Sequence, residues 1–328
     1  MSLIKEISDV SKFVDVDQDL TLKSVTPDTD DKEEKELIPI LGNTLYADLD
    51  TKYNSETPNL TDPEKELLRL SQKLIANFAM ADAIHSLQLG INDNTVNSGE
   101  GNKDSRPYKY QIQDFKTECL KRAYSAMESL LEFLFDNTAL FPDWEESEFS
   151  NSQKQFFINS AIEFQKFEDI KKNRSTFEAL KPLMRDVERI ALRSVMGYDF
   201  LNDIKTKLQN DSLSTEESFL LDEYIRPALS KFTIADACDA LAVEIKGNGI
   251  VINQLKQEGD EQLAADKARI ERKRTFSQRN GDWYLNKMRE YLNDTASETV
   301  FIPFFESDLY DNTQPEPVEL NKRNVYRA

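Results

Sequence analysis

Residues 61–96 read TDPEKELLRLSQKLIANFAMADAIHSLQLGINDNTV, and residues 215–250 read TEESFLLDEYIRPALSKFTIADACDALAVEIKGNGI. Set 154 positions apart without a gap, Phe78, Ala81, Asp82, Ala83, Leu87, Ile91, Asn94 and Val96 stand over Phe232, Ala235, Asp236, Ala237, Leu241, Ile245, Asn248 and Ile250. Leu67 stands over Leu221, and Thr61-Asp62-Pro63-Glu64 over Thr215-Glu216-Glu217-Ser218. Agreement on the apolar helix face and at the following turn together marks an internal duplication, so the chain is read as two copies of one unit.

Thr61 to Glu64 is a capping box, with Pro63 in the first turn where its missing N–H costs nothing. It starts a long helix with Leu67, Leu68, Leu74, Ile75, Phe78, Ala79 and Ala81 inward, ending near Leu89-Gly90. In the second copy Ser214 to Glu217 supplies the same box. Next, Val243-Glu244-Ile245-Lys246 and Ile250-Val251-Ile252 flank Gly247-Asn248-Gly249, the composition of a tight hairpin turn. The hairpin signal is weaker in the first copy, where the corresponding region continues into a polar loop at 97–107. A second long helix is predicted over about 108–136, with Ile112, Phe115, Cys119, Ala123, Met127, Leu130, Leu131 and Leu134 on one face; its counterpart covers about 258–294. Both stop before related segments, Phe141-Pro142-Asp143-Trp144-Glu145-Glu146-Ser147 and Phe301-Ile302-Pro303-Phe304-Phe305-Glu306-Ser307.

Upstream, Leu3, Ile4, Ile7, Val10 and Val14 have helical spacing, which predicts a short amphipathic helix. Thr26-Pro27-Asp28-Thr29-Asp30-Asp31 reads as an acidic loop that turns into a helix, and Gly42 is placed to break that helix after Leu41. Asn43 is a candidate cap for a helix burying Leu45, Tyr46 and Leu49. Glu148 to Lys154 reads as a polar linker, and the second copy opens with Phe156 to Phe164 and Ser175 to Pro182. Beyond Asp308 the tail loses helical period. The expected fold is mainly α: two tandem helical domains, 1–150 and 151–307, each with long antiparallel helices and a short β-hairpin, followed by an extended C-terminal arm at 308–328.

Composition agrees. Hydrophobic residues make up 39% of the 328, and nine Gly and eleven Pro are too few for a fold built on many turns. The net charge of −19 repels nucleic acid and anionic membrane except where basic residues cluster. Cys119 and Cys238 fall inside helical patterns as small buried residues, consistent with a reducing compartment. The opening Met-Ser-Leu-Ile-Lys-Glu lacks the apolar core of a signal peptide, and no window approaches the ~20 apolar residues of a membrane span. The expectation is a soluble protein made in the cytoplasm.

Chemistry is sparse. His85 is the sole histidine, and a structural or surface role is expected for it; with two distant cysteines it cannot complete a zinc site, so no metal and no cofactor is expected. Asp82 and Asp236 recur among alanines, which suits helix packing or hydrogen bonding. Neither a phosphate-binding glycine loop nor a nucleophile elbow is present, so no catalytic residue is assigned and an enzyme is not expected. Arg269, Arg272, Lys273, Arg274 and Arg279 form a basic cluster, read either as a solvated helix face or as a contact for an acidic partner or passing DNA.

Ile38-Pro39-Ile40-Leu41-Gly42-Asn43-Thr44-Leu45-Tyr46, the segments 141–147 and 157–164, and Ser175-x-Phe177 resemble a family of virion structural proteins. It comes from tailed phages and prophages of gut Bacteroidales, including crAss-like phages. Those proteins resemble duplicated head-to-tail connector (adaptor) proteins, and the resemblance covers roughly 1–310. It implies a neck ring below the portal, following the portal's twelvefold symmetry, that extends the DNA channel and carries the tail. Implied partners are the portal protein, other neck and tail proteins, further copies of the chain, and DNA that passes without specific binding. The expected location is the virion neck. The acidic 26–36 stretch departs from the Phe/Leu/Pro-rich segment at 175–184. On this reading Trp144, Phe301, Phe304 and Phe305, with Pro315, Pro317, Val318, Leu320, Val325 and Tyr326 of the arm, contact partners. Two other readings suit the residues: an acidic mimic of DNA, which −19 also fits, and a cytosolic helical scaffold.

Overall fold

The computed structural model describes residues 2–16, 20–87, 89–91, 96–98, 108–240, 243–246, 249–252 and 267–311. Each copy is built around two long helices packed along each other. In the first copy these are α5 (Asp62–Ser86) and α6 (Lys109–Asp136), which at about 1.5 Å per residue extend about 38 and 42 Å. They are preceded by α1 (Ile7–Ser11), α2 (Leu22–Lys32), α3 (Ile38–Leu41) and α4 (Asn43–Tyr53), and followed by α7 (Pro142–Glu145). Between the long helices, strand β1 (Leu89–Ile91) pairs antiparallel with β2 (Val96–Ser98). After α8 (Glu148–Lys154), the second copy runs through α9 (Ala161–Gln165), α10 (Arg174–Val187), α11 (Arg193–Met196), α12 (Tyr198–Gln209), α13 (Thr215–Leu220) and α14 (Arg226–Ala240). Strands β3 (Val243–Lys246) and β4 (Gly249–Ile252) pair antiparallel, then come α15 (Lys267–Thr295) and α16 (Ile302–Phe305).

Two apolar cores follow this division. One gathers Leu3, Leu37, Leu41, Leu67, Leu74, Ile75, Leu130, Leu134 and Trp144. The other gathers Phe157, Phe164, Phe177, Leu192, Ile225, Leu229, Met288, Leu292 and Phe304. Thr61 and Ser214 cap their helices through reciprocal bonds with Glu64 and Glu217, as their spacing predicts. Among the described residues no helix is long and apolar enough to cross a membrane.

Several local expectations need correction. Residues 26–31 are not a loop: α2 runs through Pro27 and continues as a π-turn, Glu33–Leu37, into α3. Pro27 leaves the Lys23 carbonyl without its helical donor, but both residues are exposed, and Val25 and Thr29 on the opposite face are buried against α5. Burial outweighs the turn propensity. The same design recurs in α10, which contains Pro182 and continues as the π-turn Glu188–Leu192 into α11. The acidic stretch therefore replaces the later segment in composition only.

The first helix is shorter than its apolar spacing, because Leu3 and Ile4 are buried ahead of the helix as non-helical chain. Gly42, not Asn43, occupies the N-cap position of α4, at φ +77°, and Gly197 does so for α12 at φ +78°. These are left-handed values that glycine alone adopts without strain. The long α5 ends at Ser86 rather than near Gly90. The 148–154 segment is helical, started by a bond from the Ser150 N–H to Ser147 Oγ.

A buried glutamate opens each of these two π-turns. Glu33 accepts from the Leu3 N–H at 2.8 Å and from Ser2 Oγ at 2.7 Å; Gln72 donates to the Leu3 carbonyl at 2.8 Å. Glu188 accepts from the Phe157 N–H at 3.4 Å and from Lys205, and Arg226 donates to the Phe157 carbonyl at 2.8 Å. Each copy thus pins a non-helical leading residue between a helix that carries a π-turn and a longer one. Burial pushes both carboxyls above their ordinary range, Glu33 against bonds from Ser2, Leu3 and Tyr46, Glu188 against the Lys205 ammonium.

A carboxyl raised in the folded state binds its proton more readily there, so its contribution to stability falls as pH climbs from its ordinary value through the raised one. Glu33→Gln, which keeps an acceptor for Leu3 and removes the charge, is expected to raise stability by about 1 kcal/mol at pH 8, with no gain at pH 4. Glu188→Gln also strands Lys205 and is expected to lose about 1–3 kcal/mol at pH 8. Urea denaturation at the two pH values checks both signs.

Candidate interaction surfaces

Most aromatic residues expected to meet partners are core. Trp144 is fully buried, donates from Nε1 to the Ile40 carbonyl at 2.9 Å, and lies edge-on to Phe135 with ring centroids 5.0 Å apart. Phe301 and Phe304 are buried against Phe200. Phe305 is half-buried beside Tyr310. The periodicity that marks these aromatics as alike in both copies is the periodicity of packing. Pro315, Pro317, Val318, Leu320, Val325 and Tyr326 lie outside the described residues, as does the side chain of Arg269.

On α15 the basic cluster agrees with a solvated helix face interleaved with acids. Lys273 binds Glu168 at 2.9 Å, and Arg274 binds Glu271 at 2.7 Å. Lys231 reaches the same Glu168 at 2.8 Å. Burial pushes the Glu168 carboxyl up, but these two ammonium groups outweigh it and hold it below its ordinary range. Local carboxylates thus take up much of the charge that the sequence presents as a patch. Arg272 is exposed, and Arg279 lies over the Phe276 ring. Phe276 and Trp283 on α15 are about half exposed, at 48% and 54%.

No group of three or more metal-binding side chains occurs among the described residues. Asp82 is surface-exposed and binds Lys32 of α2 at 2.6 Å, with Lys116 of α6 at 3.9 Å. It staples three helices, the hydrogen-bonding role expected of it. The His85 side chain lies outside the described residues. Neither cysteine is in a disulfide; Cys119 is buried and Cys238 half-buried.

Two features went unseen in the sequence. The first is the joint between copies. Arg174, 1% exposed, donates to Glu128 of α6 at 3.1 Å and to Gln153 of α8 at 3.4 Å, and pairs with Glu178 at 2.5 Å. The other Glu128 oxygen accepts from the Ile162 N–H at 3.1 Å. Lys181 adds an ammonium beside Glu178, and burial, assisted by the Arg174 charge, pushes it below its ordinary range.

The second is a cavity of about 310 Å³ on the second copy, walled by Arg185, Arg189, Arg193 and Lys205. The arginines recur at every fourth position through α10, its π-turn and α11. Arg185 lies over the Phe156 ring and Arg193 over the Tyr198 ring, at 5.5 and 4.7 Å from the centroids. Among the described residues none of the three makes an ion pair. Glu188 at the cavity wall is already engaged by Lys205. In a chain of net charge −19 this is a concentrated positive site.

Together these observations define a duplicated, mainly α protein with a buried polar joint and a basic surface cavity. A family model described as "Family of unknown function (DUF6712)" matches residues 37–154 and again residues 192–314. The two matches cover most of the chain, which belongs to that family. They begin at Leu37 and Leu192, the last residues of the two corresponding π-turns, so the duplication is seen independently of the pairing of residues 61–96 with 215–250. No curated protein and no solved structure matches the chain.

Removing one member of a buried pair strands the other charge. Arg174→Ala is expected to cost about 3–5 kcal/mol, whereas Glu128→Met with Arg174→Met is expected to return close to wild type. Equilibrium urea unfolding of the three proteins checks this; equal losses in the single and double variants would remove Glu128 as the partner that matters.

Proposed function

We propose that the chain is a virion structural protein that forms a ring below the portal, joins capsid to tail and provides the platform on which the tail assembles. The observation that carries this reading is the arrangement of two copies of one long-helix unit fastened through a buried ion pair. That is a scaffold element rather than a reaction vessel, since its polar interior is spent on holding helices to one another. The resemblance of residues 38–46, 141–147 and 157–164 to phage connector proteins supplies the context.

Charge fits the same role. A channel lined by an acidic protein lets DNA slide without adhering, because binding of phosphates requires clustered cations. The α15 cations closest to such a patch are partly taken up by Glu168 and Glu271. The proposed partners are the portal protein, neighbouring neck and tail proteins and further copies of the chain, and the proposed location is the neck of the virion.

Mixing the purified chain with the portal protein from the same genome tests the reading. A ring-sized complex of both, measured by native mass spectrometry, is the expected result. Two proteins that stay separate at micromolar concentrations would overturn it.

A further inference from the structure

Three of the four cations that wall the basic cavity have an acidic residue at the corresponding position of the first copy; the fourth, Arg193, corresponds to Ile38. Aligning the two π-turns places Asp30 at the position of Arg185, Glu34 at that of Arg189 and Asp50 at that of Lys205. The buried Glu33 and Glu188 coincide in that alignment, as do Pro27 and Pro182, so the correspondence rests on shared structure. Asp30 and Glu34 are both exposed, as are Arg185 and Arg189. One unit presents carboxylates four positions apart on a helix that carries a π-turn, and the other presents guanidinium groups with the same spacing at the corresponding turn.

We infer that the acidic strip of one chain, Asp30 and Glu34, docks into the arginine cavity of a second copy of the chain. Matched spacing lets successive carboxylates meet successive guanidinium groups, the pairing in which arginine forms its strongest charge-assisted bonds. Within one chain the strip and the cavity occupy corresponding places on two different copies, and the Glu128–Arg174 joint holds those copies together. The strip therefore takes its partner from a neighbour. Repeated from chain to chain, one such contact is heterologous and generates a closed ring or an open filament. This deepens the ring reading by naming the faces that meet, and it does not depend on where in a virion the ring sits.

A charge-reversal mixture tests it. The first protein carries Arg185→Glu and Arg189→Glu, the second Asp30→Arg and Glu34→Arg, and analytical ultracentrifugation reads mass against concentration. The wild-type chain is expected to self-associate and to dissociate as salt rises. Each variant alone is expected to associate at least ~10-fold more weakly, because like charges then face each other. The equimolar mixture is expected to recover assembly, since each variant offers the other a complementary face. Circular dichroism of each variant confirms folding, and the mixture guards against a merely damaged surface.

A wild-type chain that stays monomeric overturns the inference, as do variants that assemble like wild type or a mixture that stays monomeric. These results separate from the neck reading. A monomer that still joins the portal protein removes the inference alone, while assembly through these faces without portal binding removes only the neck assignment.

Discussion

The guanidinium of Arg174 is 1% exposed, and the side chain that receives it, Glu128, is 6% exposed and belongs to the other copy. Two charges taken that far out of water gain little net stability from each other, because desolvation costs about as much as their attraction returns. What such a pair supplies is register. Glu128 also accepts from the Ile162 N–H, and Arg174 also donates to Gln153, so slippage between the copies would leave several buried groups without partners. Among the described residues this polar seam fixes the register of α6 against α10.

Much of the fold could be read from residues alone, for a definite reason. The capping boxes at Thr61 and Ser214 and the apolar faces of α5 and α6 are local patterns, and local patterns survive into the structure when burial agrees with them. Pro27 and the acidic residues after it are a case where burial disagrees. Their turn propensity is outweighed by Val25 and Thr29 packing beneath them. The aromatic segments around Trp144 and Phe304 misled differently: they do recur, but their recurrence reports what fills the end of each core. The arm beyond Asp311 is a sequence reading that the described residues do not reach.

The interaction surfaces were less legible because charge in a sequence is a sum, and a surface is a distribution. Arg185, Arg189 and Arg193 are interleaved with Asp186 and Glu188, so no basic run is visible. Only when helix geometry sets every fourth residue on one face, and Glu188 turns inward to Leu3's counterpart Phe157, does the positive cavity emerge. The joint was hidden similarly, since nothing near Glu128 in the sequence refers to Arg174. Conversely the α15 cluster, conspicuous as a string of letters, meets Glu168 from a distant position as well as Glu271 of its own helix.

The two capping boxes stand one position closer together than the Phe78 and Phe232 that follow them. The extra residue of the second copy is absorbed by a third π-turn, Leu221–Ile225, between α13 and α14. α5 has none: it runs as unbroken α-helix. One residue added to a regular helix rotates everything beyond it by about 100°. The wider turn cancels that rotation, and Ala228 and Leu229 still face inward as Leu74 and Ile75 do. Had the change in length preceded the duplication, both copies would bear it. The turn is a scar, and it orders two events in the history of the gene: first the doubling, then the gain or loss of a single codon in one of the twins.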